Sequence, residues 1–171
     1  MDVGNKKHVK TQNVNVESNK GTFKQETTFF DLSGMYQSLE SKIRHKDTSF
    51  TGFGLIVSLN PISKEILPLT PLVNNDATIQ INSLNLINSL WELSSIHDVR
   101  HDGFHVFYPH QSVLKVAQYV APALPNDGFS LTYNVGARIR TAQLASMYEG
   151  IQEVLCVNAN KQTVIAKAMF C

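Results

Sequence analysis

The most informative part of this sequence is the stretch Arg100-His101-Asp102-Gly103-Phe104-His105-Val106-Phe107-Tyr108-Pro109. It places a carboxylate and a glycine immediately before an apolar run that predicts a strand. A second stretch, Asn134-Val135-Gly136-Ala137-Arg138-Ile139-Arg140-Thr141-Ala142, places a glycine and two arginines at the predicted start of a helix. Carboxylates bind divalent metal ions and cationic helix starts bind phosphate, so the two stretches together outline a nucleotide site.

Each stretch also has a simpler interpretation. Aspartate followed by glycine is most often a turn, because aspartate caps its own backbone and glycine accepts a positive φ. The side chains of Arg138 and Arg140 lie about 200° apart on a regular helix. Both reach one phosphate only if they straddle the junction between loop and helix; otherwise they are solvated surface arginines.

A spacing of four residues relates three histidines, His97, His101 and His105. Such a spacing on a continuous helix would allow two imidazoles to share a zinc ion. Gly103 and the apolar run after it argue against a helix that reaches His105. The alternative is a set of polar histidines, partly exposed near a helix end.

Composition predicts one cytoplasmic domain. The chain has 171 residues, 43% hydrophobic and 17% charged, with a net charge of +1 and no block of like charges. A general nucleic-acid surface or an acidic-membrane surface would need a clustered basic face, so neither partner is expected. No apolar run approaches the ~18 residues of a membrane span. Cys156 lies in an apolar run and is expected to be a buried, inert thiol.

The order of elements predicts an α/β (α+β) fold in which helices flank a central mixed β-sheet. Residues 1–25 are polar and are expected to form a flexible N-terminal arm, and residues 26–171 the single domain. Periodicity predicts helices over residues 27–46, 83–96 and 137–152. It predicts strands over residues 53–59, 77–81, 103–108, 112–120, 129–135, 154–158 and 163–168.

Five segments occur in an order that fits a known family. Phe53-Gly54-Leu55-Ile56-Val57 looks like an opening Gly-Ala-Leu-Ile-Val strand, and Leu86-Ile87-Asn88-Ser89-Leu90-Trp91-Glu92-Leu93 like a Leu-Leu-x-x-Leu-x-Glu-Leu helix. Asp102-Gly103-Phe104 corresponds to an Asp-Gly-Ala motif. Leu114-Lys115-Val116-Ala117, together with Pro122, resembles an Ile-x-x-Ala strand that is followed by a proline. The segment from Gly136 to Ala142 corresponds to Gly-Thr-Arg-His-Arg-x-Ala. Residues 50–168 thus resemble the diadenylate cyclase domain, the catalytic N-terminal domain of DisA-type proteins, which join two ATP into cyclic di-AMP.

The resemblance implies roles for several residues. The family's aspartate, here Asp102, helps to bind the metal and prepares the ribose hydroxyl for attack. The family's two arginines, here Arg138 and Arg140, bind the triphosphate. Four departures stand beside these matches: Ala137 and Ile139 replace threonine and histidine, Asn158-Ala159-Asn160 replaces Ser-Glu-Glu, and Phe104 replaces alanine. Phe104 is expected to add bulk where the nucleotide pocket would be.

The departures predict a catalytically degenerate relative that binds a nucleotide or cyclic dinucleotide as a sensor. Each lost oxyanion donor removes about 2.7–4 kcal/mol of transition-state stabilisation, whereas ground-state phosphate contacts survive. Mg²⁺ or Mn²⁺ is the expected cofactor if a nucleotide is bound, with Asp102 as the metal residue. The expected ligand-binding residues are Asp102, Gly103, Phe104, Gly136, Ala137, Arg138, Ile139, Arg140 and Asn158.

Two other functions stay open. One is a residual metal-dependent nucleotidyltransferase that makes cyclic di-AMP from ATP, with Asp102 as the catalytic residue. The other is a ligand-free platform for dimerisation or partner binding. Family cyclases bring two sites face to face, so a homo-oligomer is expected. Both the sensor and the nucleotidyltransferase require a nucleotide site, in which Asp102 and the nearer arginine should lie within about 12 Å of each other across an open cleft.

Overall fold

The computed structural model describes residues 33–44, 48–74, 78–124, 136–161 and 163–167, and these contain three α-helices and seven strands. The helices are α1 (Ser33–Ile43), α2 (Leu86–Leu93) and α3 (Ala137–Ala145). The strands are β1 (Gly52–Ser58), β2 (Leu69–Pro71), β3 (Thr78–Gln80), β4 (Phe104–Tyr108), β5 (Val113–Val120), β6 (Ile151–Asn158) and β7 (Thr163–Lys167). A single 3₁₀ turn, Pro109–Gln111, joins β4 to β5.

All seven strands form one mixed sheet in the order β2-β5-β4-β1-β6-β7, with β3 also paired to β5. β1 and β4 are parallel, and the other pairs are antiparallel. Every residue of β1 is buried, because this strand lies at the centre with apolar layers on both faces. That position explains why its sequence is a continuous apolar run without alternation. The predicted mixed α+β domain is confirmed.

Helices cover both faces of the sheet, as expected. On one face, α1 and α2 pack against the odd-numbered residues of β1, and the buried residues there include Leu39, Leu55 and Leu90. On the other face, α3 contributes Ala142 and Ala145 to a second core that contains Ile56 of β1. A seven-residue strand can supply both cores because its side chains alternate between the two faces.

The predicted helix over residues 137–152 is wrong in its second half. α3 ends at Ala145, and Ile151 already pairs with Ser58 as the first residue of β6. Between them, Gly150 has φ of +84°, a conformation that glycine adopts without strain and that turns the chain back into the sheet. The predicted helix over 83–96 is also shorter, since α2 spans Leu86–Leu93.

Parts of the predicted structure lie outside the described residues. These are the arm over residues 1–25, the strand over residues 129–135 and the first residues of the helix over 27–46. The remaining predicted strands are present with bounds shifted by one to three residues.

A bulge in β5 was not predicted. Phe104 pairs with Gln118 and Val106 with Lys115, so that Val116 and Ala117 together lie opposite His105. Ala117 has φ of +51°, in the left-handed region. A bulge reverses the alternation of a strand, and so Val116 faces the first core whereas Val120 faces the second.

Candidate functional site

Asp102 and Arg138 meet although 36 positions separate them, with Arg138 Nη2 donating to Asp102 Oδ1 at 3.2 Å. The side chains are 76% and 28% exposed for Asp102 and Arg138 respectively, so the pair faces solvent. The predicted proximity within about 12 Å is confirmed, whereas the open cleft expected between the two side chains is absent because they contact each other directly. The contact joins the start of β4 to the first turn of α3.

A tight turn places Asp102. Its Oδ1 accepts a hydrogen bond from the Gly103 N–H at 2.7 Å, and Gly103 has φ of +83°. A Cβ on Gly103 would lie 2.6 Å from Leu72 Cδ1 and 2.7 Å from the Gln118 carbonyl oxygen, so no side chain fits there. The turn interpretation of Asp-Gly is therefore correct, and the turn itself lies at the site.

The start of α3 places Arg138. Gly136 is the N-cap residue with extended backbone, and as a glycine it has no side chain that could cap the helix. The first turn of a helix carries a partial positive charge and backbone N–H groups that bind anions. The Arg138 guanidinium adds a full positive charge beside them.

Arg140 points elsewhere. Both arginines lie within α3, so their side chains are about 200° apart and do not straddle a junction. Arg140 is exposed and lines neither of the cavities described below. The structure therefore brings Arg138, and not Arg140, to the site.

Two cavities flank Arg138. The Asn158 cavity has a volume of about 210 Å³ and is lined by Thr51, Gly136, Arg138, Ile139, Cys156, Val157, Asn158 and Ala159. The Asp102 cavity has a volume of about 230 Å³ and is lined by Leu72, Asp102, Gly103, Phe104, Gln118, Tyr119, Val120, Ala137, Arg138 and Thr141. Arg138 lines both. Eight of the nine residues expected from the sequence line one or the other, and the exception is Arg140.

The strand register explains why these residues meet. Gly52 pairs with Asn158 and Gly54 with Phe104, so the start of β1, the start of β4 and the end of β6 lie at one end of the sheet. The N-terminus of α3 lies at the same end, with Arg138 beside Asp102.

Phe104 contributes its bulk to the core and leaves the Asp102 cavity open. The residue is 4% exposed and belongs to the core beneath α3. Its ring lies over Gly54, where an added Cβ would be 2.5 Å from Phe104 Cδ1. Glycine at position 54 thus provides the space that phenylalanine at position 104 uses. Phe104 also lines the Asp102 cavity, so part of its bulk lies at the expected pocket.

The residues that line the two cavities include one carboxylate, Asp102. Among the described residues there is no group of three or more His, Cys, Asp or Glu that could hold a metal ion. One carboxylate fits Mg²⁺, which proteins often bind through one or two carboxylates together with the phosphates of a nucleotide. A single carboxylate is too few ligands for a metal site in which the protein supplies all the coordinating groups.

The other candidates from the sequence have local roles. His101 Nδ1 lies 2.6 Å from the Asp98 carbonyl oxygen, and His105 is fully buried in β4. Arg100 makes a two-point contact with Asp98, 2.9 Å at Nε and 2.7 Å at Nη2, and these hydrogen bonds lower the pKa of the Asp98 carboxyl. Burial raises the pKa of the Cys156 thiol to about 12, as expected of an inert thiol.

Sequence patterns did not reveal Leu72, Gln118 and Tyr119 as lining residues. Gln118 and Tyr119 lie near the end of β5, where the unpredicted bulge determines which side of the sheet each residue faces. Leu72 follows β2, which pairs with this part of β5. Leu72 and Tyr119 are 48% and 58% exposed, which is unusual for large apolar side chains in a sheet, but exposure is visible only in the structure.

No protein-family model and no curated protein matches this sequence. Among solved structures, the chain is similar to the crystal structure of a hypothetical membrane spanning protein from Bacillus cereus. The two share 17% identity with a TM-score of 0.52, over 80% of this chain and 59% of that one. In the parts of this chain that the structure describes, none of the helices has the length and apolar character to cross a membrane. The chain thus shares its fold with that solved structure and spans 59% of its length.

Proposed function

We propose that this domain binds a nucleotide or cyclic dinucleotide and acts as a sensor. The observation that supports the proposal is the contact between Asp102 and Arg138 at the wall shared by two cavities. Each cavity is smaller than the ~300–1,000 Å³ of a usual ligand pocket. A ligand that extends along both sides of Arg138 would use them together, with its phosphates at the guanidinium and at the first turn of α3.

The charge arrangement suits an exchange of partners. An ion pair exposed to solvent contributes only about 0.2–1 kcal/mol, so a phosphate group can displace Asp102 from Arg138 at little cost. Asp102 would then be available to Mg²⁺ or Mn²⁺ carried by the phosphates. In this proposal Arg138 binds the ligand's anion, and Asp102 makes the binding depend on the metal.

Binding is favoured over rapid catalysis. Phosphoryl transfer requires metal charge and positioned donors around the transferring group. Ile139 offers no side-chain donor, and Asn158 offers an amide where the diadenylate cyclase family has a hydroxyl and carboxylates. These replacements remove contacts that would stabilise a transition state. The Arg138 guanidinium and the first turn of α3 are unaffected by them and can still bind a phosphate.

Isothermal titration calorimetry with ATP and with cyclic di-AMP, each with and without Mg²⁺, tests this function. Arg138→Ala should weaken binding by at least about tenfold, because a hydrogen bond to a charged group contributes about 1.5–3 kcal/mol. Arg140→Ala is the matched control, since it removes the same charge from the same helix outside the cavities, and should change binding less than threefold. If neither compound binds below millimolar concentration, the proposal is wrong.

A residual nucleotidyltransferase is the second candidate, and the retained position of Asp102 in the cleft favours it. Prolonged incubation with ATP and Mn²⁺, followed by chromatography for cyclic di-AMP, should then show product with the wild type and none with Asp102→Ala. This activity would join two ATP molecules, so it also requires a homo-oligomer with facing sites. A monomer in light scattering at high protein concentration would argue against it.

A further inference from the structure

His105 is buried in an unusual position. Its side chain is completely inaccessible to solvent, and its Nδ1 accepts a hydrogen bond from the Ala117 N–H at 3.3 Å. Ala117 is the bulge residue of β5, with φ of +51°. A bulge leaves one backbone group without its ladder partner, and here the imidazole supplies that partner.

The bulge determines the wall of the Asp102 cavity. The Ala117 carbonyl accepts a hydrogen bond from the Leu72 N–H at 2.8 Å, and the next residue, Gln118, places its carbonyl oxygen against Gly103. Leu72, Gly103 and Gln118 all line the cavity. Ala117 thus links the imidazole on one side to the lining residues on the other.

Burial keeps the imidazole in the neutral form that this contact requires. Nδ1 can accept a hydrogen bond only if it carries no proton, so the neutral ring has its proton on Nε2. Burial is the main cause that lowers the pKa of His105 to about 4, and the nearby charges of Arg138 and Arg100 act in the same direction against the opposite effect of Asp98. At neutral pH the ring is therefore uncharged.

We propose that His105 is a positioning residue of the ligand site: its neutral Nδ1 fixes the bulge at Ala117, and the bulge fixes the cavity wall on which ligand binding depends. The proposal rests on the proposed function for its ligand, with ATP as the probe. His105 itself does not touch the ligand.

Two substitutions at position 105 separate the hydrogen bond from the packing. His105→Asn places an amide oxygen close to the position of Nδ1 and retains an acceptor for Ala117. His105→Leu introduces an apolar side chain of similar size and removes the acceptor. Leu90→Ala is the control for loss of stability alone, since Leu90 is a fully buried residue of α2 that lines neither cavity.

We expect His105→Leu to bind ATP about tenfold more weakly and to exchange the Ala117 amide hydrogen at least tenfold faster than the wild type. His105→Asn should restore both values to within threefold, and Leu90→Ala should leave ATP affinity unchanged at a temperature where it is folded. Nitrogen chemical shifts of the wild-type ring should show a protonated Nε2 and an unprotonated Nδ1.

Three results would overturn the proposal: a proton on Nδ1, unchanged exchange at Ala117 in His105→Leu, or wild-type ATP affinity in that variant. If the wild type binds neither ATP nor cyclic di-AMP, the proposed function fails and the role in ligand binding fails with it. The ring tautomer and the amide exchange need no ligand, so they still decide whether His105 fixes the bulge.

Discussion

The pairing of Gly54 with Phe104 makes the strongest prediction, because it can be tested by two substitutions that should compensate each other. In Gly54→Ala the new Cβ would lie 2.5 Å from Phe104 Cδ1 and 2.6 Å from Cε1, closer than atoms can approach. The ring cannot move aside freely, since it is 4% exposed and packed in the core beneath α3. Phe104→Ala removes the obstacle and leaves an empty space.

The magnitudes follow from this geometry. Overpacking a core costs about 1–3 kcal/mol, so Gly54→Ala should destabilise the wild type by about that much. Phe104→Ala should cost about 3–5 kcal/mol, as truncation of a buried phenylalanine does. In the double variant the alanine methyl enters the space vacated by the ring, so Gly54→Ala should cost nothing there. The coupling free energy should therefore be at least about 1 kcal/mol.

Urea denaturation followed by circular dichroism measures the free energy of unfolding of all four proteins in this cycle. Comparable m-values would show that the same transition is measured in each. If the two effects add to within about 0.5 kcal/mol, the ring does not occupy the space above Gly54 and the reasoning about an open Asp102 cavity is refuted.

Three further predictions concern His105, two glycines and Asp102. As the pH falls from about 6.5 to about 4, His105 becomes protonated in the unfolded state but stays neutral in the folded state. The free energy of unfolding should therefore fall by about 3 kcal/mol more in the wild type than in His105→Asn. Urea denaturation at several pH values measures this difference. Gly103→Ala should lower the free energy of unfolding by about 2–4 kcal/mol, because the residue has a positive φ and its new Cβ would make two close contacts. Gly150→Ala is the control: its φ is almost the same but its surroundings are open, so it should lower the free energy of unfolding by about 1–2 kcal/mol. Equal losses in the two variants would show that the contacts at Gly103 are absent. In calorimetry without metal, Asp102→Asn should bind ATP up to about fivefold more tightly, because the Asp102 carboxylate no longer competes with phosphate for Arg138. In the same variant Mg²⁺ should no longer increase ATP affinity. Unchanged metal dependence would exclude Asp102 as the metal residue.

The sequence predicted the features that local chemistry controls. The apolar run over residues 53–59 predicted a strand, and the observed strand over residues 52–58 is buried along its whole length. Asp102 was predicted to lie near Arg138 or Arg140 because a carboxylate in a glycine turn and a cation at a helix start suit one ligand. Both predictions depend on the residue and its immediate neighbours.

What the sequence did not reveal depends on partners distant along the chain. The bulge at Ala117 requires His105 on the next strand, and an alanine with positive φ has no recognisable sequence signal. The space above Gly54 that holds the Phe104 ring appears only once β1 and β4 are paired. Arg140 was expected at the site because the helix start could not be assigned to a single residue. Each error concerns register, which sequence periodicity determines only to within a residue or two.

The position of the site within the sheet has a practical consequence. In open α/β sheets, ligands usually bind at the carboxyl ends of parallel strands. Here the residues gather where the parallel pair β1 and β4 begins. The opposite end of these strands carries connections, among them the 3₁₀ turn Pro109–Gln111 with its exposed His110. A fluorescent reporter or a second domain inserted in that turn should leave ATP affinity intact, whereas an insertion beside Asn158 should abolish it. Under the proposed function, one end of the domain recognises the ligand and the other can carry an attachment, as a biosensor requires.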